Sequence, residues 1–170
     1  DAAEADRLRK VYWRDYGTTL AGLMAEHKIN PDPFLEDVHD ISMHALTPDP
    51  SLAARIDALP GRKIIYTNGT APYARRVIAA RGLSGLFDAV YGVEHAAYQP
   101  KPAQAAFDKV FAQDGLTPTE AAMFEDEPRN LAVPHALGMR TVHVAETADP
   151  APHVQHHTDD LTGFLAQITV

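Results

Sequence analysis

RKIIYTNGTAPYARRVIAARG, residues 62–82, decides the fold. Its opening, RKIIYT (62–67), is a short apolar run of the kind that forms a strand buried on both faces. Asn68-Gly69 ends the run, because this pair accepts positive φ and turns the chain. Pro72 suits the first position of a helix, PYARRVIAARG, and Gly82 suits its end. The same alternation continues downstream. DAVYGVE (88–94) is expected as a strand, AQAAFDKVFAQDG (103–115) as a helix opened by Pro102, and AAMFED (121–126) as a third strand. EPRNLAVPHALG (127–138) reads as a helix kinked or shortened by Pro134, MRTVHVA (139–145) as a fourth strand and DDLTGFLAQI (159–168) as the last helix. Strands alternating with helices over short connections imply an α/β protein with a doubly wound, parallel, Rossmann-like sheet.

Working back from residue 62, the pattern is helical. Leu8, Val11, Tyr12 and Tyr16 fall at helical spacing, as do Leu20, Leu23, Met24 and His27. In NPDPFLEDV, Asp32 suits an N-cap and Pro33 the first helical position, with Phe34, Leu35 and Val38 facing inward. SLAARIDAL (51–59) is a fourth helix, and the two prolines of HALTPDPS (44–51) mark a linker. The expected division is a small helical unit over 1–50 and a Rossmann-like core over 51–170, with no internal repeat.

Composition narrows the function. Forty-five per cent hydrophobic and 22% charged residues suit a globular chain with a real core. A net charge of −8 argues against binding a nucleic-acid polymer, which wants clustered Lys and Arg, yet leaves a small phosphorylated substrate open. The absence of cysteine removes thiolate catalysis and zinc–sulfur sites and fits a cytoplasmic setting. No apolar run reaches the ~20 residues of a membrane span.

Three stretches, IIYTNG (64–69), QPKP (99–102) and MFEDEPRN (123–130), carry the chemistry. Thr67, Asn68 and Gly69 at a strand end offer a hydroxyl and backbone N–H groups, a natural anion cradle, or simply a strand-ending turn. Lys101 between two prolines has a stiff backbone that aims its cation, or is an ordinary surface lysine. Glu125 and Asp126 after AAMF repel each other unless a cation lies between them or water screens them. Oxygen ligands of this kind suit Mg²⁺; the alternative is an acidic turn at a helix start. Asn130 follows one turn later. The histidines of HVQHH (153–157) are expected in an exposed loop, and His135 and His143 in or beside the core.

Taken together, the three stretches resemble the haloacid dehalogenase-like hydrolase superfamily over roughly 61–145, in the Phe-Glu-Asp form of its phosphatase branch. The resemblance implies that Thr67 and the Asn68-Gly69 loop bind the transferring phosphoryl group. Lys101 would stabilise the nucleophile and the phosphate charge, and Asp126 with Glu125 would hold Mg²⁺. VYWRDYGTTLAGLM (11–24) also resembles the helical cap of the pyrimidine 5′-nucleotidase-like subfamily, with Tyr12, Trp13 and Tyr16 as candidate substrate contacts. The expected activity is Mg²⁺-dependent phosphomonoester hydrolysis, with nucleotides as one candidate substrate class. The alternatives are an inactive phosphate- or partner-binding relative and a haloacid dehalogenase.

One departure stands out. The family begins with a strand bearing Asp-x-Asp, whose first Asp attacks phosphorus and whose second is the acid/base. Residues 1–60 contain no apolar run ending in that pair. In the family fold that strand lies between those ending at Thr67 and Asp126, so a gap is expected there. A longer enzyme, direct pairing across the gap or a second chain would each close it, and a longer enzyme is the expectation.

Overall fold

The computed structural model describes residues 1–168. The chain opens with three helices, α1 (Ala2–Tyr16), α2 (Thr19–His27) and α3 (Pro31–His39). Asp1 caps α1 by accepting from Glu4 N–H, and Thr18 caps α2 by accepting from Ala21 N–H. The cap of α3 is Asn30, not Asp32, with Pro31 at the first position. NPDP offers two overlapping copies of the same signal, and the chain uses the earlier one. Leu20, Leu35 and Val93 form the small core beneath these helices. Val38, expected inward, is 42% exposed, because α3 touches this core mainly through Leu35 and Phe34.

Helices α1 and α2 cross unusually closely. A Cβ on Gly22 would lie 2.2 Å from Tyr12 Cγ, so only glycine admits the Tyr12 ring at this crossing. The Tyr12 hydroxyl then meets His27 Nε2 at 2.8 Å, which gives this buried polar group its partner. The turn between the helices depends on Gly17, whose φ of +88° suits glycine.

The rest of the chain alternates. α4 (Pro50–Ala58), capped by Asp49, leads to β1 (Ile64–Tyr66) and α5 (Ala71–Ala80), capped by Thr70. β2 (Ala89–Tyr91), α6 (Gln104–Asp114), β3 (Ala122–Glu125), α7 (Ala132–Ala136), β4 (Arg140–Val144), β5 (His156–Thr158) and α8 (Leu161–Ile168) follow. The segment expected as one helix over 127–138 is a 3-10 turn (Pro128–Leu131) followed by the single short turn of α7, with Pro134 inside it. Of the segment expected as an exposed histidine loop, residues 153–155 remain outside any strand, whereas His156 and His157 open β5, which pairs with β4 in the register Val142–His156, His143–His157 and Val144–Thr158. Pairing with β4, rather than local hydrophobicity, makes this segment a strand.

All strand pairs are parallel, as expected of this class, yet the sheet is in two pieces. β1 pairs with β2, and β3, β4 and β5 pair in that order; among the described residues no ladder joins β1 to β3. Side chains bridge the division on both faces. Phe107 and Val110 of α6 share one cluster with Tyr66 of β1 and Met123 of β3. On the other face Ile56, Leu83 and Leu165 gather Ile78, Phe87 and Phe124. Met123 and Phe124 thus face opposite layers, as strand alternation requires. Among the described residues no helix is long and apolar enough to cross a membrane.

Candidate functional site

The division between β1 and β3 opens at the carboxyl ends of the strands into a cavity of about 590 Å³. That end of a parallel sheet is where α/β proteins bind ligands. Thr67, Lys101, Asp126, Arg129 and Trp13 all line it, so the three stretches singled out in the sequence meet in one place.

Thr67 leaves the end of β1, and its N–H continues the ladder by donating to Tyr91 O at 3.0 Å. Its side-chain oxygen accepts from Gly69 N–H at 3.0 Å. A hydroxyl that accepts in this way keeps its own proton to donate. The Asn68 side chain turns away to the lysine loop: Nδ2 donates to Lys101 O at 3.0 Å, and Lys101 N–H donates to Asn68 Oδ1 at 2.7 Å. This reciprocal amide pair fixes the Lys101 backbone from a strand 33 residues earlier.

Lys101 is 5% exposed and so is no surface lysine. Its ammonium donates to Tyr66 O at 3.1 Å and forms a short ion pair with Glu125 Oε2. It reaches one half-sheet with the first contact and the other with the second. An ammonium has three protons, so one is left for a ligand in the cavity. The Tyr66 ring lies 5.1 Å from the same nitrogen. Burial, then the Glu125 charge, raises the Tyr66 phenol's pKa.

Glu125 and Asp126 separate sharply. Glu125 is buried against Lys101, and its Oε1 accepts from Glu127 N–H at 3.3 Å. Asp126 is exposed at the cavity. Burial is the largest influence on Glu125 and raises its pKa; the Lys101 charge opposes it. A hydrogen bond from Glu125 is the largest influence on Asp126 and holds its carboxyl below the usual range. One of the pair is pushed toward keeping a proton and the other toward losing it. Beneath them His143, 4% exposed, donates from Nε2 to Asp126 O at 3.1 Å and fixes that backbone.

The oxygens here suit a hard cation. Asp126 presents an ionised carboxylate, and Asn130, 5% exposed, has a buried Oδ1 with no hydrogen-bond partner. Among the described residues no group of three or more His, Asp or Glu forms a complete cage. A donor set of few oxygens fits Mg²⁺, which keeps several waters and takes one or two carboxylates.

Of the three aromatics from the first helix, Trp13 alone lines the cavity; Tyr12 packs between α1 and α2, and Tyr16 donates to Glu26. Arg129 was not singled out by its sequence context. Its guanidinium lies 3.8 Å from the Trp13 ring centroid and donates to Trp13 O at 3.3 Å and Gly17 O at 3.2 Å. No local pattern marks it, since both acceptors lie more than 100 residues away.

Comparison with known proteins agrees with this fold. A model of haloacid dehalogenase-like hydrolases matches residues 16–144. "Phosphate metabolism protein 8" of Saccharomyces cerevisiae is 26% identical over 167 residues, covering 86% of this chain and 51% of that protein. The chain therefore spans about half the length of this curated relative. Among solved structures, an L-2-haloacid dehalogenase from Xanthobacter autotrophicus superposes with TM-score 0.62 at 20% identity, over 90% of this chain and 75% of that one. A Bacillus subtilis hydrolase solved with bound magnesium gives TM-score 0.64 at 15% identity, over 99% and 82%. At these identities the structural matches speak to the fold.

Proposed function

The chain belongs to the haloacid dehalogenase-like hydrolase family, and on that premise we propose that it carries the phosphate- and cation-binding half of a Mg²⁺-dependent phosphomonoester hydrolase. The observation that carries this reading is the buried Lys101 ammonium, held between Tyr66 O and Glu125 in one cavity with Thr67 and Asp126. A cation buried at the carboxyl end of a sheet, beside an ionised carboxylate and a free hydroxyl proton, suits a phosphoryl group bridged to a metal ion.

Each residue has a distinct task. Thr67 donates its hydroxyl proton to a phosphoryl oxygen, with its side chain oriented by Gly69 N–H, and the backbone N–H of Asn68 completes the cradle. Lys101 offsets charge on the same group with its remaining proton. Asp126 would hold Mg²⁺, with Asn130 lining the same cavity as a further oxygen donor, while Glu125 tunes both Lys101 and Asp126 by charge and hydrogen bonding. Bound there, the ion would neutralise developing charge on the phosphoryl oxygens. The attacking carboxylate would be an aspartate on a strand outside the described residues, seated between β1 and β3, where the two half-sheets share no ladder. It would displace the alcohol at phosphorus, form an aspartyl-phosphate and release it to water. Trp13 at the cavity wall gives a flat surface for the substrate's organic part, which makes nucleotides a reasonable class to test. The cysteine-free composition is in keeping with a cytoplasmic enzyme.

A second reading, dehalogenation, draws on the haloacid dehalogenases among the structural neighbours. The acidic pair weighs against it, because displacement at carbon requires no cation site. The decisive experiment, in the longer protein that carries the aspartate-bearing strand, measures turnover of p-nitrophenyl phosphate and a nucleotide panel, and halide release from 2-chloropropionate, with and without Mg²⁺. Phosphate release that Asp126→Asn lowers at least 100-fold supports the proposal. Halide release without Mg²⁺ supports the dehalogenase, and a protein that carries the aspartate-bearing strand yet is silent in both assays is a binding relative.

A further inference from the structure

The α1–α2 turn is held from two sides by the loops that build the site. On one side Gly17 lies against the lysine loop, where an added Cβ would meet Pro100 Cγ at 3.3 Å and Lys101 O at 3.5 Å. On the other, Arg129 stacks on Trp13 and donates to Trp13 O and Gly17 O. Trp13 O also accepts from Gly17 N–H at 3.2 Å, so the guanidinium is a second donor there, and its charge suits the negative end of the α1 dipole.

The contacts continue inward to the acidic pair. Arg129 Nε lies 3.6 Å from Glu127 Oε1, and the Arg129 backbone N–H donates to the same oxygen at 3.4 Å. Glu127 N–H in turn donates to Glu125 Oε1 at 3.3 Å. The buried Arg129 Nε itself lacks a hydrogen bond, so the side chain is placed by Trp13 and the two carbonyls rather than by an ideal ion pair. Arg129 and Glu127 thus link Trp13 at the cavity wall to Glu125 at its floor.

We propose that Arg129 is a positioning residue that latches the α1–α2 turn to the 125–130 loop, making ligand binding at Asp126 and Lys101 and the seating of Trp13 one coupled event. The inference rests on the reading of this cavity as a phosphoryl and Mg²⁺ site. Because coupling between two sites is reciprocal, a latch that ligands tighten must also tighten ligand binding, typically by 5- to 150-fold. Arg129 touches no reacting atom, so its removal acts on substrate capture more than on the chemical step.

Trp13 is the single tryptophan of these 170 residues and reports the latch directly. The intact protein is titrated with Mg²⁺, then with inorganic phosphate at saturating Mg²⁺, following indole fluorescence, with Trp13→Phe assigning the signal and calorimetry giving the ion affinities independently. The expected result is a fluorescence change whose midpoint matches calorimetry. In Arg129→Gln that change is lost, and KM for p-nitrophenyl phosphate rises about tenfold while kcat changes less than threefold. Arg129→Lys, which keeps the charge and a donor without the planar fork, recovers part of both. If calorimetry shows both ions binding while Trp13 fluorescence stays flat, or if Arg129→Gln leaves the response and KM unchanged, the latch is refuted and the site reading stands. If neither ion binds the wild-type protein, both are refuted.

Discussion

Replacing Lys101 by methionine removes the one ammonium that touches both half-sheets while nearly keeping the volume of its stem. Glu125 is then left as a buried carboxylate with its opposing charge gone. Both side chains of the pair are 7% exposed, so solvent cannot take over from the lost partner. A carboxylate in that position can always escape by taking up a proton, and this bounds the cost. From its ordinary value of 4.5, protonation at pH 7 costs about 3.4 kcal/mol, and at pH 5 about 0.8 kcal/mol. A further 1–3 kcal/mol, roughly, attaches to Tyr66 O, which loses a charged donor. Lys101→Met should therefore destabilise by at most about 4–6 kcal/mol at pH 7, overlapping the roughly 3–5 kcal/mol for breaking a buried pair. At pH 5 the loss should shrink by about 2.6 kcal/mol. The sign follows from linkage: a carboxyl whose folded pKa lies above its unfolded one favours folding at low pH, and that contribution is lost as pH rises. Adding Glu125→Gln removes the orphaned charge and should recover most of the loss. Urea unfolding of wild type, both single variants and the double variant at pH 7 and pH 5 gives the full cycle. A Lys101→Met variant equally destabilised at both pH values, or a double variant no more stable than Lys101→Met, would refute the reasoning.

Two further expectations come from outside the site. Gly22→Ala forces a methyl into the Tyr12 ring, so α1 and α2 must separate; overpacking of this kind costs about 1–3 kcal/mol, and an unchanged melting temperature would contradict the close crossing. His39 stacks on Tyr73 at 4.3 Å and 9°, and burial holds its pKa below the ordinary 6.5. An imidazole depressed in the fold leaves its contribution to stability whole above that value and lost as pH falls through the folded one. NMR titration should place His39 below 6.5 and show Tyr73→Ala raising it; a wild-type value at or above 6.5 overturns this.

The strands were legible where β-branched residues cluster, as in Ile64-Ile65 and Val142 with Val144, because strand burial and strand propensity point the same way there. β5 was not: His156-His157-Thr158 has no apolar signal, and a long-range ladder with β4 makes it a strand. The residues of the site were legible by type, since Thr67, Lys101 and Asp126 all line one cavity. Their directions were less so. Neighbours along a strand point to opposite sides, and this already hints that Glu125 and Asp126 diverge, one to Lys101 and one to the cavity. The Arg129 contacts with Trp13 and Gly17 lie beyond any local reading, being created only when the first helix returns to the loop after β3.

The division of the sheet has a consequence for how the chain meets other chains. An ordinary open sheet has two edges, and both lie at its rim. Among the described residues β1 and β3 each have one edge without a ladder, and these edges lie on the slot where the proposed aspartate-bearing strand would seat. Free edges template pairing with any extended segment, including a strand from a neighbouring copy, and proteins commonly blunt them by keeping them short. β1 has three residues and β3 four, with the Lys101–Glu125 pair closing the slot at one end. The same two edges are the template on which the proposed aspartate-bearing strand would pair, with the Lys101–Glu125 contact already spanning the slot at one end.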